Sequence, residues 1–163
     1  MEVYLLNVRE RNFSQNTQMI FSYKLFEKPV IKKSYSGNLM VICVSEQSGF
    51  SVDAEEQRFR PQETINHFIE KFKSFNIKHN DTDMNLEWFY KVWTSMESYF
   101  KLTGYGFKTH KNFTLNLETK SIYLNGKTVA FFEFIYFKNY IICLCSRAKI
   151  YKNDLQITCY GWS

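Results

Sequence analysis

The chain reads as an α+β fold built mainly from antiparallel strands. Two apolar stretches with helical spacing lie side by side in the middle of the sequence, one opened by Pro61 and one running from Leu86 to a stop at Gly104. On either side of them lie short runs rich in Val, Ile, Phe and Tyr, separated by turn residues. Strands, helix, helix, strands is an α+β order rather than a βαβ alternation. Hydrophobic residues make up 45% of the 163 residues, with 16 Phe and 11 Tyr against two Pro and six Gly, so a packed core is expected and disorder is not.

Residues 3–8 (VYLLNV) read as a first strand, 9–17 as a polar loop and 18–26 (QMIFSYKLF) as a second strand, broken at Lys28-Pro29. Residues 29–36 are extended or loop, and Gly37-Asn38 is turn chemistry. The apolar run 39–45 (LMVICVS) reads as a buried strand, returning as a hairpin through 50–54. Pro61 and Glu63 begin a helix whose stripe is Ile65, Phe68, Ile69 and Phe72. Residues 73–84 are a polar connector. The long helix carries Leu86, Tyr90, Trp93 and Phe100 on one face. Strands follow at 112–117, 121–124, 128–137, 140–145 and 148–160, with Asn125-Gly126 as a two-residue hairpin turn and Lys138-Asn139 as a weaker one.

The net charge of +5 is mild, and no block of basic residues singles out nucleic acid as a partner. Cys43, Cys143, Cys145 and Cys159 lack metal or redox spacing and read as buried reduced thiols. His67, His79 and His110 do not cluster, and neither a phosphate-binding glycine loop nor a nucleophile elbow occurs. No leader segment and no run near ~18 apolar residues is visible, so a cytoplasmic protein without a membrane segment is expected.

Two features carry chemistry. Asp53 and Glu55 stand two apart in a strand, so both carboxylates face one side. The ordinary fate of such a pair is a solvated strand end; the alternative is a pair that a cation such as Mg²⁺ holds. Glu97 sits in the apolar stripe of the long helix, four residues after Trp93 and four before Lys101. It either snorkels and pairs with Lys101 or is a third ligand. Lys28, Lys32, Lys33 and Lys101 are the candidate phosphate contacts.

Together these residues resemble a 4′-phosphopantetheinyl transferase of the larger two-lobed class that activates peptide and polyketide synthases. Three blocks carry the resemblance in the family's order. Lys28-Pro29 with Ser34-Tyr35-Ser36-Gly37-Asn38 is similar to G-K-P and S-H-S-G. Ser51-Val52-Asp53-Ala54-Glu55 is similar to G-[IV]-D-[IV]-E. Trp93-Thr94-x-x-Glu97-Ser98-x-x-Lys101-x-x-Gly104-x-Gly106 is similar to W-[ST]-x-K-E-[AS]-x-x-K-x-x-G-x-G. Tyr35 stands where the family has His, Met96 where it has Lys, and Ser51 where it has Gly. The segment before Lys28 is much shorter than in the family, so the first lobe is expected to be abbreviated, with self-association or a partner covering it.

The resemblance implies two pseudo-related lobes in a single domain, lobe one at about 1–50 and lobe two at about 51–163. It implies transfer of 4′-phosphopantetheine from coenzyme A to a serine of an acyl or peptidyl carrier protein. By it, Asp53, Glu55 and Glu97 hold Mg²⁺, and Glu97 or a metal-bound water takes the serine proton. Lys101 neutralises the leaving group, and Lys28, Ser34, Tyr35 and Lys101 contact coenzyme A. The alternatives are a relative that binds a carrier protein or biosynthetic partner without transfer, and one acting on another pantetheinylated or diphosphate substrate.

Overall fold

The computed structural model describes residues 1–24, 29–72, 75–78, 85–104 and 112–162. It is α+β, as the sequence predicts. Strands β1 (Glu2–Asn7), β2 (Val30–Ser36), β3 (Leu39–Ser45) and the last strand, β10 (Gln156–Tyr160), form one sheet in the order β10-β1-β3-β2. A second sheet runs β4-β9-β8-β7-β6-β5, from β4 (Phe50–Glu56), β5 (Asn76–Lys78), β6 (Phe113–Asn116), β7 (Ser121–Leu124), β8 (Lys127–Phe137) and β9 (Tyr140–Ser146). Three α-helices accompany them among the described residues: α1 (Phe13–Lys24), α2 (Gln62–Phe72) and α3 (Leu86–Thr103). Most pairings are antiparallel; β1 with β10 and β5 with β6 are parallel.

Alternating side chains explain the layering. In β3, Leu39, Val41 and Cys43 pack against the second sheet, while Met40, Ile42 and Val44 pack beneath Ile20 of α1. In β9, Tyr140, Ile142 and Leu144 meet the first sheet, while Ile141, Cys143 and Cys145 meet Tyr90, Val92, Met96 and Tyr99 of α3. Both strands are buried on both faces, which is why they read as unbroken apolar runs. The order of layers is therefore α1, first sheet, second sheet, α3. Among the described residues no helix is long and apolar enough to cross a membrane.

Several sequence expectations change. Residues 13–24 form α1, not a loop and a strand, because Phe13, Ile20 and Phe21 recur at helical spacing and cover the outer face of the first sheet. The polar connector contains β5, which adds to the edge of the second sheet through β6. Strands β3 and β4 are not a hairpin: β3 pairs with β1 and β2, whereas β4 pairs with β9. Residues 148–160 give a 3₁₀ turn at Lys152–Asp154 and then β10. That strand, placed with the second lobe by the sequence, hydrogen-bonds to β1 in the first sheet. Cys159 on it is exposed; the other three thiols are buried.

Candidate active site

Two strand edges meet where the acid pair lies. β2 ends one sheet and β4 begins the other, and no backbone ladder joins them. Two serine hydroxyls from β2 bridge the gap. Ser34 Oγ accepts from the Ala54 N–H at 3.2 Å and donates to Asp53 Oδ1 at 3.2 Å. Ser36 Oγ accepts from the Glu56 N–H at 2.9 Å and donates to Glu55 Oε2 at 3.1 Å. The two-residue repeat of the serines matches that of the acids, so one register satisfies both pairs.

The same alternation aims Ser51, Asp53 and Glu55 at α3, while Val52 and Ala54 enter the core between the sheets. Ser51 Oγ donates to the Ser98 carbonyl. Lys101 Nζ donates to Asp53 Oδ1 at 2.6 Å, to Ser34 Oγ at 3.2 Å and to the Val52 carbonyl at 3.5 Å. Trp93 faces Glu55 and draws its carboxyl down. α3 holds these groups in place at both ends. Asn85 caps its start by accepting from the Trp88 N–H. Gly104, at φ 73°, ends it in the left-handed conformation with its N–H on the Phe100 carbonyl.

Glu97 is four residues from each of Trp93 and Lys101, the two α3 residues that reach Glu55 and Asp53. Four-residue spacing places all three on one helix face, so Glu97 lies on the face turned to the acid pair. The expected three-carboxylate centre is nonetheless not a ready-made cage. Among the described residues no three His, Cys, Asp or Glu side chains are gathered closely enough to hold a metal. The Lys101 ammonium sits against Asp53 instead.

Burial sets the electrostatics. It pushes the Asp53 carboxyl up, against the pull of Lys101, Ser34 and the Ala54 N–H. Glu55 is also pushed up, first by burial and then by the charge of Asp53, while Ser36, Trp93 and Arg60 draw it back. Asp53 Oδ2 is buried and has no hydrogen-bond partner among the described residues. An orphaned carboxylate oxygen beside a second carboxylate is where a hard cation fits. Mg²⁺ commonly takes one or two carboxylates and completes its shell with phosphate oxygens and water.

Ser34 and Lys101 both reach Asp53. Tyr35 does not: it follows Ser34 on the strand, so its ring points to the opposite face, 54% exposed, beneath the Lys33 ammonium. Met96 is fully buried in the core under α3. Lys28 lies outside the described residues, as does Gly106. Sequence reasoning missed Ser36 as a hydrogen-bond donor to Glu55, and Trp93 and Arg60 as groups that draw its carboxyl down. The Ser34-x-Ser36 spacing, repeated by Asp53-x-Glu55, was the available signal for the first.

A family model, the 4′-phosphopantetheinyl transferase superfamily, matches residues 49–158. No curated protein matches the chain. The family match takes in Asp53, Glu55, Glu97 and Lys101, together with the whole second sheet and α3. Because that match spans about two thirds of the sequence, the chain belongs to the 4′-phosphopantetheinyl transferase superfamily.

Proposed function

We propose that this protein transfers the 4′-phosphopantetheine arm of coenzyme A to a serine hydroxyl of an acyl or peptidyl carrier protein, as the larger two-lobed members of the superfamily do. The observation that carries the reading is the buried Oδ2 of Asp53, unpartnered among the described residues, where Ser34, Glu55 and Lys101 converge.

Asp53 and Glu55, joined by Glu97 from the facing helix, would hold Mg²⁺, which neutralises pyrophosphate oxygens when bound. The Lys101 ammonium already sits in the seam and exchanges Asp53 for a phosphate oxygen of the donor. Ser34 supplies a hydroxyl to the same phosphates, and by the family resemblance Lys28 would be a further contact to coenzyme A. Glu97 accepts the proton of the carrier serine as its oxygen attacks the β-phosphorus. The bond from that phosphorus to the bridging oxygen breaks, and adenosine bisphosphate leaves with the electron pair. Lys101 stabilises the charge that gathers on it. No covalent enzyme intermediate is needed; position and charge do the work.

The test is mass spectrometry of an apo-carrier protein incubated with the enzyme, coenzyme A and Mg²⁺. The carrier gains one phosphopantetheine arm, chelation prevents it, and Glu97→Gln abolishes it. Undiminished transfer by Glu97→Gln would remove Glu97 from the role of base and ligand. A second reading, binding of a carrier or biosynthetic partner without transfer, is favoured by Met96, which puts a buried thioether where the family has a cation. Calorimetry separates the two: absence of heat with coenzyme A and Mg²⁺ at millimolar concentration selects the second.

A further inference from the structure

Residues 57–61 leave β4 directly after the acid pair, and a single buried phenol fixes their path. Tyr90, 1% exposed on α3, spends its whole hydrogen-bonding capacity on them. Its hydroxyl donates to the Arg58 carbonyl at 3.0 Å, accepts from the Arg58 N–H at 3.0 Å and accepts from Arg60 Nε at 3.1 Å. The two arginines then differ. Arg58 turns back on Glu56, its Nε at 2.8 Å and Nη2 at 2.5 Å from one carboxylate oxygen. Arg60 has no carboxylate partner among the described residues, and neither of its Nη nitrogens is hydrogen-bonded there. A guanidinium is planar and rigid. Fixing Nε on a buried hydroxyl therefore fixes where the Nη pair points, and that pair is the fork that matches phosphate oxygens.

We propose that Arg60 is an anion-binding residue of this site and that Tyr90 positions it, so that the guanidinium offers its Nη fork to a phosphate of the donor beside Glu55. Arg60 follows the end of β4 by four residues, and the Tyr90 hydroxyl that holds its Nε stands two turns before Glu97 on the same face of α3, so the guanidinium is tied to the strand and the helix that carry the acids. It also adds a cation that no carboxylate among the described residues holds. Tyr35 and Met96 bring no charge, and Lys101 is engaged by Asp53. The assignment rests on the transferase reading for the identity of the donor, but the anion is recognisable without it: a di- or polyphosphate accompanied by a divalent ion.

The experiment is calorimetric titration of the full chain with two probes, coenzyme A and inorganic pyrophosphate, each with Mg²⁺, at several salt concentrations. Arg60 is exposed, so Arg60→Gln leaves the fold intact, which its thermal transition verifies. We expect Arg60→Gln to weaken both probes by about tenfold to a hundredfold and to flatten the dependence of affinity on salt. Arg60→Lys restores the salt dependence and part of the affinity. Tyr90→Phe keeps the charge but frees its direction, so it loses less affinity and keeps the parental salt dependence. Parental affinity for both probes in Arg60→Gln, or no binding of either probe by the parent, overturns the assignment. Pyrophosphate binding through Arg60 without coenzyme A binding upholds Arg60 and removes the transferase reading. Coenzyme A binding that ignores Arg60 does the reverse.

Discussion

Asp53 and Glu55 hold their protons to a higher pH in the folded chain than in the unfolded one, because burial disfavours ionisation of both and the charge of Asp53 adds to the effect on Glu55. The sign of the consequence follows from proton counting. Between the ordinary carboxylate range and the raised folded values, the folded state binds more protons than the unfolded state. Stability therefore falls as pH rises through that window, and once both acids are ionised the fold carries their full cost. Two variants test this. Asp53→Asn and Glu55→Gln should melt no lower than the parent at neutral pH and show a flatter pH dependence, while losing transfer. Lys101, whose side chain is 42% exposed, can return to water when Asp53 is neutralised. Millimolar Mg²⁺ should raise the parent's melting temperature and leave Asp53→Asn unmoved. A lower melting temperature for Asp53→Asn at neutral pH would make that carboxylate a structural anchor rather than a ligand kept at a cost. Much of this scale was legible in the sequence. The two-residue spacing put both acids on one face, and the four-residue spacing put Glu97 and Lys101 on one helix face. That Lys101 goes to Asp53 could not be read, because nothing local says which strand a helix will cross.

At the scale of elements, the seam between β2 and β4 is the unusual feature. Two sheet edges approach without a ladder, and hydroxyls stand in for backbone carbonyls as acceptors of the Ala54 and Glu56 N–H groups. An edge joined this way leaves room for carboxylates where a ladder would have closed it. Ser34 is 4% exposed and Ser36 is half-buried, so their removal should differ. Ser34→Ala strands a buried N–H and takes a donor from Asp53, a loss of about 1–3 kcal/mol in urea unfolding. Ser36→Ala lets water reach the Glu56 N–H and should cost less. Equal losses would mean that the hydroxyls do not hold the seam. The element the sequence misjudged, α1, shows the limit of periodicity. QMIFSYKLF fits either period over so short a span. What decides it is the uncovered face of Leu6, Met40, Ile42 and Val44, which needs a helix across it and is assembled from two distant strands.

At the largest scale, β10 ties the two ends of the described fold together. The chain builds the first sheet, leaves it for the second, and returns at β10 to lie parallel with β1. No sequence pattern marks that return, since β10 is exposed along most of its length and parallel pairing depends on everything folded before it. The apolar layer between the sheets takes Val3, Leu5, Leu39 and Val41 from one sheet and Val52, Ile142 and Leu144 from the other, with Leu155 and Trp162 packed against it. Neither sheet can bury that face alone, so lobes of this chain should not unfold separately. Trp162 is a built-in reporter, edge-on to Phe137 at 5.2 Å and to Tyr140 at 6.0 Å. In a protein carrying Trp88→Phe and Trp93→Phe, the fluorescence of Trp162 and the far-ultraviolet circular dichroism should follow one urea transition. Ending the chain after Gln156 should lower the midpoint of that transition in the parent, because β1 loses its parallel partner and the shared layer loses its tryptophan. Two separated transitions would show that the sheets are independent units. The seam holding Asp53 would then be a contact between bodies free to shift, and its serine bridges would have to re-form each time the donor binds.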